Sequence, residues 1–128
     1  MIYIIDTSAW IEYLIGSNKG KILTNLFKSA ANKFITVECS LAELTGYSLR
    51  EKIDFRRIYG MIRQNSIILP VLTEHWLEAG KIKTQLRGKL QGFGLIDALL
   101  VAKQKELNCK LISADSHFNS LKDVVYLE

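Results

Sequence analysis

Four carboxylates spread over most of the chain, Asp6, Glu43, Asp97 and Asp115, are of the type from which a hard-cation centre is built. Close like charges repel and raise one another's pKa values, so four acids in one place require a cation or trapped protons. Carboxylate oxygens and water suit magnesium or manganese. Zinc is disfavoured because Cys39 and Cys109 lie far apart, with no CxxC pair and no His at zinc spacing. Ions held in this way bind phosphate oxygens, activate a water and stabilise a leaving oxygen in an in-line displacement. Phosphodiester hydrolysis is the chemistry these four acids could perform together.

The acids can meet only if the elements around them bring them to one edge. Ile2-Tyr-Ile-Ile-Asp6 is a short apolar run of the kind buried on both faces of a parallel sheet, and it ends in Asp6. Trp10, Ile11, Leu14 and Ile15 then recur at helical spacing up to Gly16, and Ile22, Leu23, Leu26, Phe27 and Ala30 mark a second helix. Phe34 to Cys39 is β-rich, and Ser40-Leu-Ala-Glu43 after it has the form of a capping box, which places Glu43 in the first turn of a helix. Phe55, Ile58 and Ile62 define a helix, Ser66 to Val71 a strand, and Glu74 to about Gln91 a long helix. After the Gly92-Phe-Gly94 break a helix carries Asp97 near its start; Cys109 to Asp115 is a strand ending in an acid, and Val124 to Leu127 is the last strand.

Strands alternating with helices predict an α/β sandwich with a mostly parallel sheet. In such sheets strand carboxyl ends and helix amino ends share one edge, where ligands bind at the reversal of strand order. Asp6 and Asp115 end strands while Glu43 and Asp97 begin helices, so all four are expected on that edge.

Each acid has a plainer explanation when taken alone. Asp6 or Ser8 could simply cap the first helix, Glu43 could pair reciprocally with Ser40, Asp97 could complement a helix dipole, and Asp115 could open a turn. Glu38, near a strand end, competes with Glu43. What favours a centre is that four separate accidents would have to land on one sheet edge.

The chain has 128 residues, 48% of them hydrophobic, enough for one ordinary domain spanning 1–128. Lys+Arg 17 against Asp+Glu 13 gives a net charge of +4, compatible with a polyanion partner but decisive for nothing. The opening apolar run lacks a basic flank and is far too short for a signal peptide or membrane span, so a soluble, cytoplasmic protein is expected. Arg56, Arg57, Arg63, Lys81, Lys83, Arg87 and Lys89 are read as solvated helix faces and Trp10, Tyr13, Tyr47 and Tyr59 as core or interface aromatics. His117 is read as a loop residue, and both cysteines as buried thiols. Gly16-Ser-Asn-Lys-Gly20-Lys21 is one residue short of a phosphate loop and follows a helix, which rejects it.

Taken together, Asp6-Thr-Ser, Glu43 at a helix start, Leu-Ile-Asp97-Ala-Leu-Leu-Val-Ala and Ser-Ala-Asp115-Ser-His-Phe resemble a PIN domain of the VapC toxin type, from first strand to last. The resemblance implies a three-layer, Rossmann-like α/β fold, with four or five mostly parallel strands flanked by helices. It also implies an endoribonuclease dependent on Mg2+ or Mn2+, the toxin of a type II toxin-antitoxin pair, acting on RNA as a homodimer and silenced by a small antitoxin. On that resemblance Asp6, Glu43 and Asp97 would be metal ligands, Asp115 a ligand or water-positioning acid, and Thr7 and Ser8 would order the loop after the first strand. His117 stands where the family often has another acid, which implies one well-held ion and a second recruited mainly by RNA phosphate. Ser113 replaces a common Thr and keeps the hydroxyl.

Two other readings compete. A receiver-like signalling domain is also a small parallel α/β unit, but Ile67-Ile-Leu-Pro-Val-Leu-Thr73 lacks the acid it would need after a middle strand. A nuclease of RNA maturation or DNA-flap cleavage would share the same acids.

Overall fold

The computed structural model describes residues 1–128. Five strands, β1 (Ile2–Ile5), β2 (Lys33–Val37), β3 (Ile67–Leu69), β4 (Lys110–Ser113) and β5 (Val124–Tyr126), form one sheet in the order β3-β2-β1-β4-β5. Every pairing is parallel, and the central strand sets Tyr3 opposite both Phe34 and Lys110. The chain moves outward from β1 through β2 and β3, then returns to the other side of β1 for β4 and β5. The reversal therefore falls between β1 and β4, and their carboxyl ends frame the crevice where ligands bind in sheets of this type.

Six helices cover the sheet: α1 (Thr7–Ile15), α2 (Asn18–Phe27), α3 (Cys39–Arg50), α4 (Phe55–Asn65), α5 (Thr73–Leu86) and α6 (Leu95–Leu107). Side chains alternate between faces along a strand, and that period divides the core in two. Tyr3 and Ile5 of β1, with Phe34 and Ile112, pack against Trp10, Leu23, Leu44, Ile58 and Ile62 of α1 to α4. Ile4, with Ile35 and Leu111, packs against Ala79 and Ile82 of α5 and Ala98, Leu99 and Ala102 of α6. The result is the three-layer α/β sandwich expected from the alternating pattern.

Trp10 is fully buried, as its core reading requires, and its indole Nε1 donates to Thr36 Oγ1 at 3.1 Å. Between α1 and α2 the backbones approach so closely that a Cβ at Gly20 would lie 2.2 Å from the Glu12 carbonyl oxygen. Gly20 thus serves packing between two helices, and the residues around it belong to a helix junction: Gly16 closes α1 in the left-handed region and Ser17 caps α2.

Three local expectations change. The long helix after β3 ends at Leu86, well before Gln91, because Arg87 leaves the helical region and Gly88 takes φ +81. The capping box at Ser40 does not form. α3 starts at Cys39, its cap residue Glu38 already has helical backbone angles, and Ser40 is inside the helix with a buried hydroxyl that has no partner. Finally, Cys109 is buried but Cys39 is only half-buried.

The basic side chains on α4 and α5 and in the following turn are exposed, Arg56 pairing with Asp54 at 2.9 Å, in keeping with solvated faces. No helix is long and apolar enough to cross a membrane.

Candidate metal centre

Asp6 follows β1 and caps α1. The cap needs an extended residue whose oxygen reaches the third amide of the helix, and Asp6 Oδ1 accepts from Ala9 N at 2.8 Å. Ser8 Oγ donates to the same oxygen at 2.8 Å, and Ser113 Oγ at the end of β4 donates to Oδ2. Ser8 Oγ also accepts from Ala114 N at 2.9 Å, which ties the ends of β1 and β4 together. The side chain of Asp6 is almost wholly withdrawn from water. Desolvation raises its pKa from 3.8 to about 7, against the lowering effect of these three donors and with a smaller push from Asp115.

Asp97 lies in the first turn of α6, where its Oδ2 accepts from Gly94 N at 3.0 Å. Burial raises its pKa as well, and the neighbouring charges of Asp115 and Glu43 add to the rise. Asp115 caps a one-turn 3-10 helix (Ser116–Phe118), accepting from His117 N at 2.9 Å. Glu43, exposed on the second turn of α3, accepts from Thr7 Oγ1 at 2.7 Å at the mouth of the crevice.

Asp6, Glu43, Asp97 and Asp115 line one pocket of about 170 Å³, together with Thr7, Ser8, Ile11 and Leu100. Capping and clustering proved compatible for the three aspartates, since a cap occupies only part of a carboxylate's acceptor capacity. For Glu43 the plainer reading fails, because Ser40 is not its partner. Glu38, the competing acid, points elsewhere: its Oε1 accepts from Val71 N at 2.8 Å and fastens the loop after β3.

The tightest grouping of ligand atoms in the molecule is Asp97, Asp115 and His117, all within 4.8 Å of one another. Asp6 and Glu43 line the same pocket without belonging to that close set. His117 was not expected there. Its position two residues after Asp115 was the one available signal, because a one-turn helix capped by Asp115 folds that side chain back over the acids.

The donor set fits a divalent cation. Four carboxyl groups surround one small space, two of them with pKa values pushed upward, and His117 Nδ1 is buried without a hydrogen-bond partner. An ion would be held by carboxylates already oriented by backbone amides and hydroxyls, the arrangement that fixes metal ligands.

A family model of the PIN domain matches residues 3–124. No curated protein matches the sequence closely enough to be counted. Among solved structures, a toxin-antitoxin complex from Klebsiella pneumoniae superposes with a TM-score of 0.75 at 15% identity, covering 98% of each chain. VapBC-1 from nontypeable Haemophilus influenzae gives 0.73 at 22% identity, covering 98% of this chain and 96% of its own. The Mycobacterium tuberculosis VapC20 structure, a sarcin-ricin loop cleaving toxin, gives 0.73 at 16% identity over 95% and 96% of the two chains. At such identities these structures speak for the fold, while the family match runs from β1 into β5 and spans all four acids. The chain belongs to the PIN domain family.

Proposed function

We propose that this protein is a divalent-metal-dependent endoribonuclease with Asp6, Glu43, Asp97 and Asp115 as its catalytic and metal-binding acids. The observation that carries the reading is the convergence of those acids from β1, α3, α6 and the turn after β4 on one pocket at the switch point of the sheet. The structures it resembles are named as toxin-antitoxin complexes and, in one case, as a toxin cleaving the sarcin-ricin loop. The loop-cleaving toxin favours RNA as substrate and the toxin-antitoxin complex a small antitoxin as partner; a cytoplasmic homodimer is part of the same proposal. The whole of 1–128 is read as one catalytic domain.

Bound Mg2+ or Mn2+ would supply charge neutralisation at the phosphate and a water acidified enough to attack phosphorus. The chain's own residues prepare the place. Ser8, Ala9 and Ser113 hold Asp6 in one orientation, Thr7 holds Glu43, and Gly94 N holds Asp97. A carboxylate of Asp115, half-exposed at the pocket rim, can take the proton released as water oxygen bonds to phosphorus. The bridging P–O bond then breaks, and the leaving oxygen takes a proton from solvent.

The test is cleavage of tRNA, rRNA and single-stranded and flap DNA in magnesium, manganese or chelator. Asp6→Asn and Asp97→Asn are expected to reduce RNA cutting at least about a hundredfold while keeping the circular dichroism spectrum, a loss on the scale of removing a transition-state-stabilising group. Undiminished cutting by both variants overturns the site, and equal cutting of DNA flaps overturns the substrate.

A further inference from the structure

His117 stands in the centre as a nitrogen donor, where the family resemblance implied only a missing acid. Its Nδ1 lies 3.1 Å from Asp115 Oδ1 and 3.9 Å from Asp97 Oδ2. Two ligand atoms bound at right angles about 2.1 Å from an ion are about 3 Å apart, and opposite ones about 4.2 Å apart. The first separation is that of neighbouring ligands and the second falls between the neighbouring and opposite spacings, so one ion can reach all three atoms, which lie within 4.8 Å of one another. Nδ1 is also buried with no hydrogen bond to the protein. The 3.1 Å approach to Asp115 is not a hydrogen bond in its geometry, so the nitrogen's lone pair is not committed.

The opposite side of the ring is fixed. A Cβ at Gly92 would lie 3.0 Å from His117 Nε2 and 3.3 Å from Cε1, so the ring rests on the bare backbone of a residue at φ +81. With Asp115 accepting from the His117 amide and Gly92 behind the ring, the imidazole is set with Nδ1 toward the acids.

We propose that His117 Nδ1 is a direct ligand of the catalytic ion, and that this nitrogen makes the centre prefer Mn2+ to Mg2+. The proposal rests on the metal-dependent reading above. Carboxylate and water ligands suit both ions, whereas a nitrogen ligand gains little from the hard, strongly hydrated magnesium ion and more from a first-row transition metal such as manganese. A fifth carboxylate at position 117 would leave the two ions on nearly equal terms. A nitrogen there tilts the choice. The rival role for the ring is that of a protonated counter-ion, pairing with Asp97 and Asp115 and leaving the metal shell entirely oxygen.

Mn2+ added to the metal-free protein and read by electron spin echo spectroscopy separates the two roles. A ligated imidazole gives 14N modulation, which is expected in the wild type and absent in His117→Gln and His117→Asp. Calorimetric titration with each ion is expected to show the Mn2+ over Mg2+ affinity ratio falling about tenfold in both variants, with His117→Asp gaining Mg2+ affinity. Thermal melts of both variants establish that they fold. Gly92→Ala, which crowds the ring, is expected to weaken the 14N signal without removing any donor. Mn2+ bound with no 14N modulation in the wild type overturns the ligand assignment and leaves the metal-dependent reading standing. No binding of either ion overturns that reading itself.

Discussion

At the level of single residues, the pocket is held together by hydroxyls as much as by acids. Ser113 donates to Asp6 Oδ2, accepts from Asp115 N at 3.0 Å and lies 3.2 Å from Ser8 Oγ, so one side chain orders two acids from opposite ends of the chain. A hydrogen bond to the charged form lowers a carboxyl pKa. Ser113→Ala is therefore expected to raise the Asp6 pKa above about 7, so that at neutral pH more of the variant is protonated. Metal affinity of the variant should drop several-fold at pH 6.5 and recover toward wild type at pH 8.5. Titration calorimetry at both values checks this, and an equal loss at both would place the role of Ser113 outside protonation.

At the level of elements, the two serines that could cap helices have opposite fates. Ser17 caps α2 by accepting from Gly20 N at 3.0 Å, whereas Ser40 is enclosed in α3 with its hydroxyl unpaired. Ser17→Ala is expected to cost about 1 kcal/mol. Ser40→Ala removes a buried polar group that has no bond to lose, and should leave stability unchanged or raise it by up to about 1 kcal/mol. Urea unfolding of both variants measures the contrast, and a loss at Ser40 matching that at Ser17 would restore the capping box.

The same pair shows which elements the sequence disclosed. Strands and helices with a strong apolar period, such as Ile2–Ile5 and Leu95–Leu107, stand where that period places them, because burial on one or both faces leaves little alternative. The start of α3 could not be read in this way. Glu38 takes the cap position two residues before Ser40 while its side chain bonds Val71 N, a contact made across the fold and invisible in local spacing. Likewise the three aspartates could be assigned to one edge from their places at strand and helix ends. The motif marked the position of His117, but the ring's setting depends on a single turn and on a glycine 25 residues earlier, a tertiary contact that local spacing does not show.

For the molecule as a whole, the acidic pocket is a source of instability above neutral pH that a bound cation would relieve. The Asp6 pKa is raised in the folded state to about 7 from 3.8, and that of Asp97 is also raised. A folded chain with raised carboxyl pKa values binds protons more tightly than the unfolded one, so this part of its stability is complete below about pH 4 and is lost as pH rises through about 7. Glu106 works in the opposite sense: its pKa is lowered, chiefly by the hydrogen bond to His75, so its contribution is lost only in stronger acid. In chelator, the melting temperature is expected to decline between pH 5 and pH 8. Saturating Mn2+ should raise it by an amount that grows over the same interval, because the ion binds the deprotonated pocket. A metal effect independent of pH would remove Asp6 and Asp97 from the ion's shell.

The hydrogen bond that joins Asp6 to Ser113 spans 107 positions of the sequence, and it belongs to the central pair of a sheet whose strands all run in parallel. Contacts of such separation form late, after the entropy of closing the intervening loop has been met. During synthesis the first acid emerges long before the partners that give it a function. A growing chain on the ribosome thus carries Asp6 without β4, Asp115 or His117, and the acidic pocket is not yet assembled. The topology delays the pocket until β4 and the turn after it have been made.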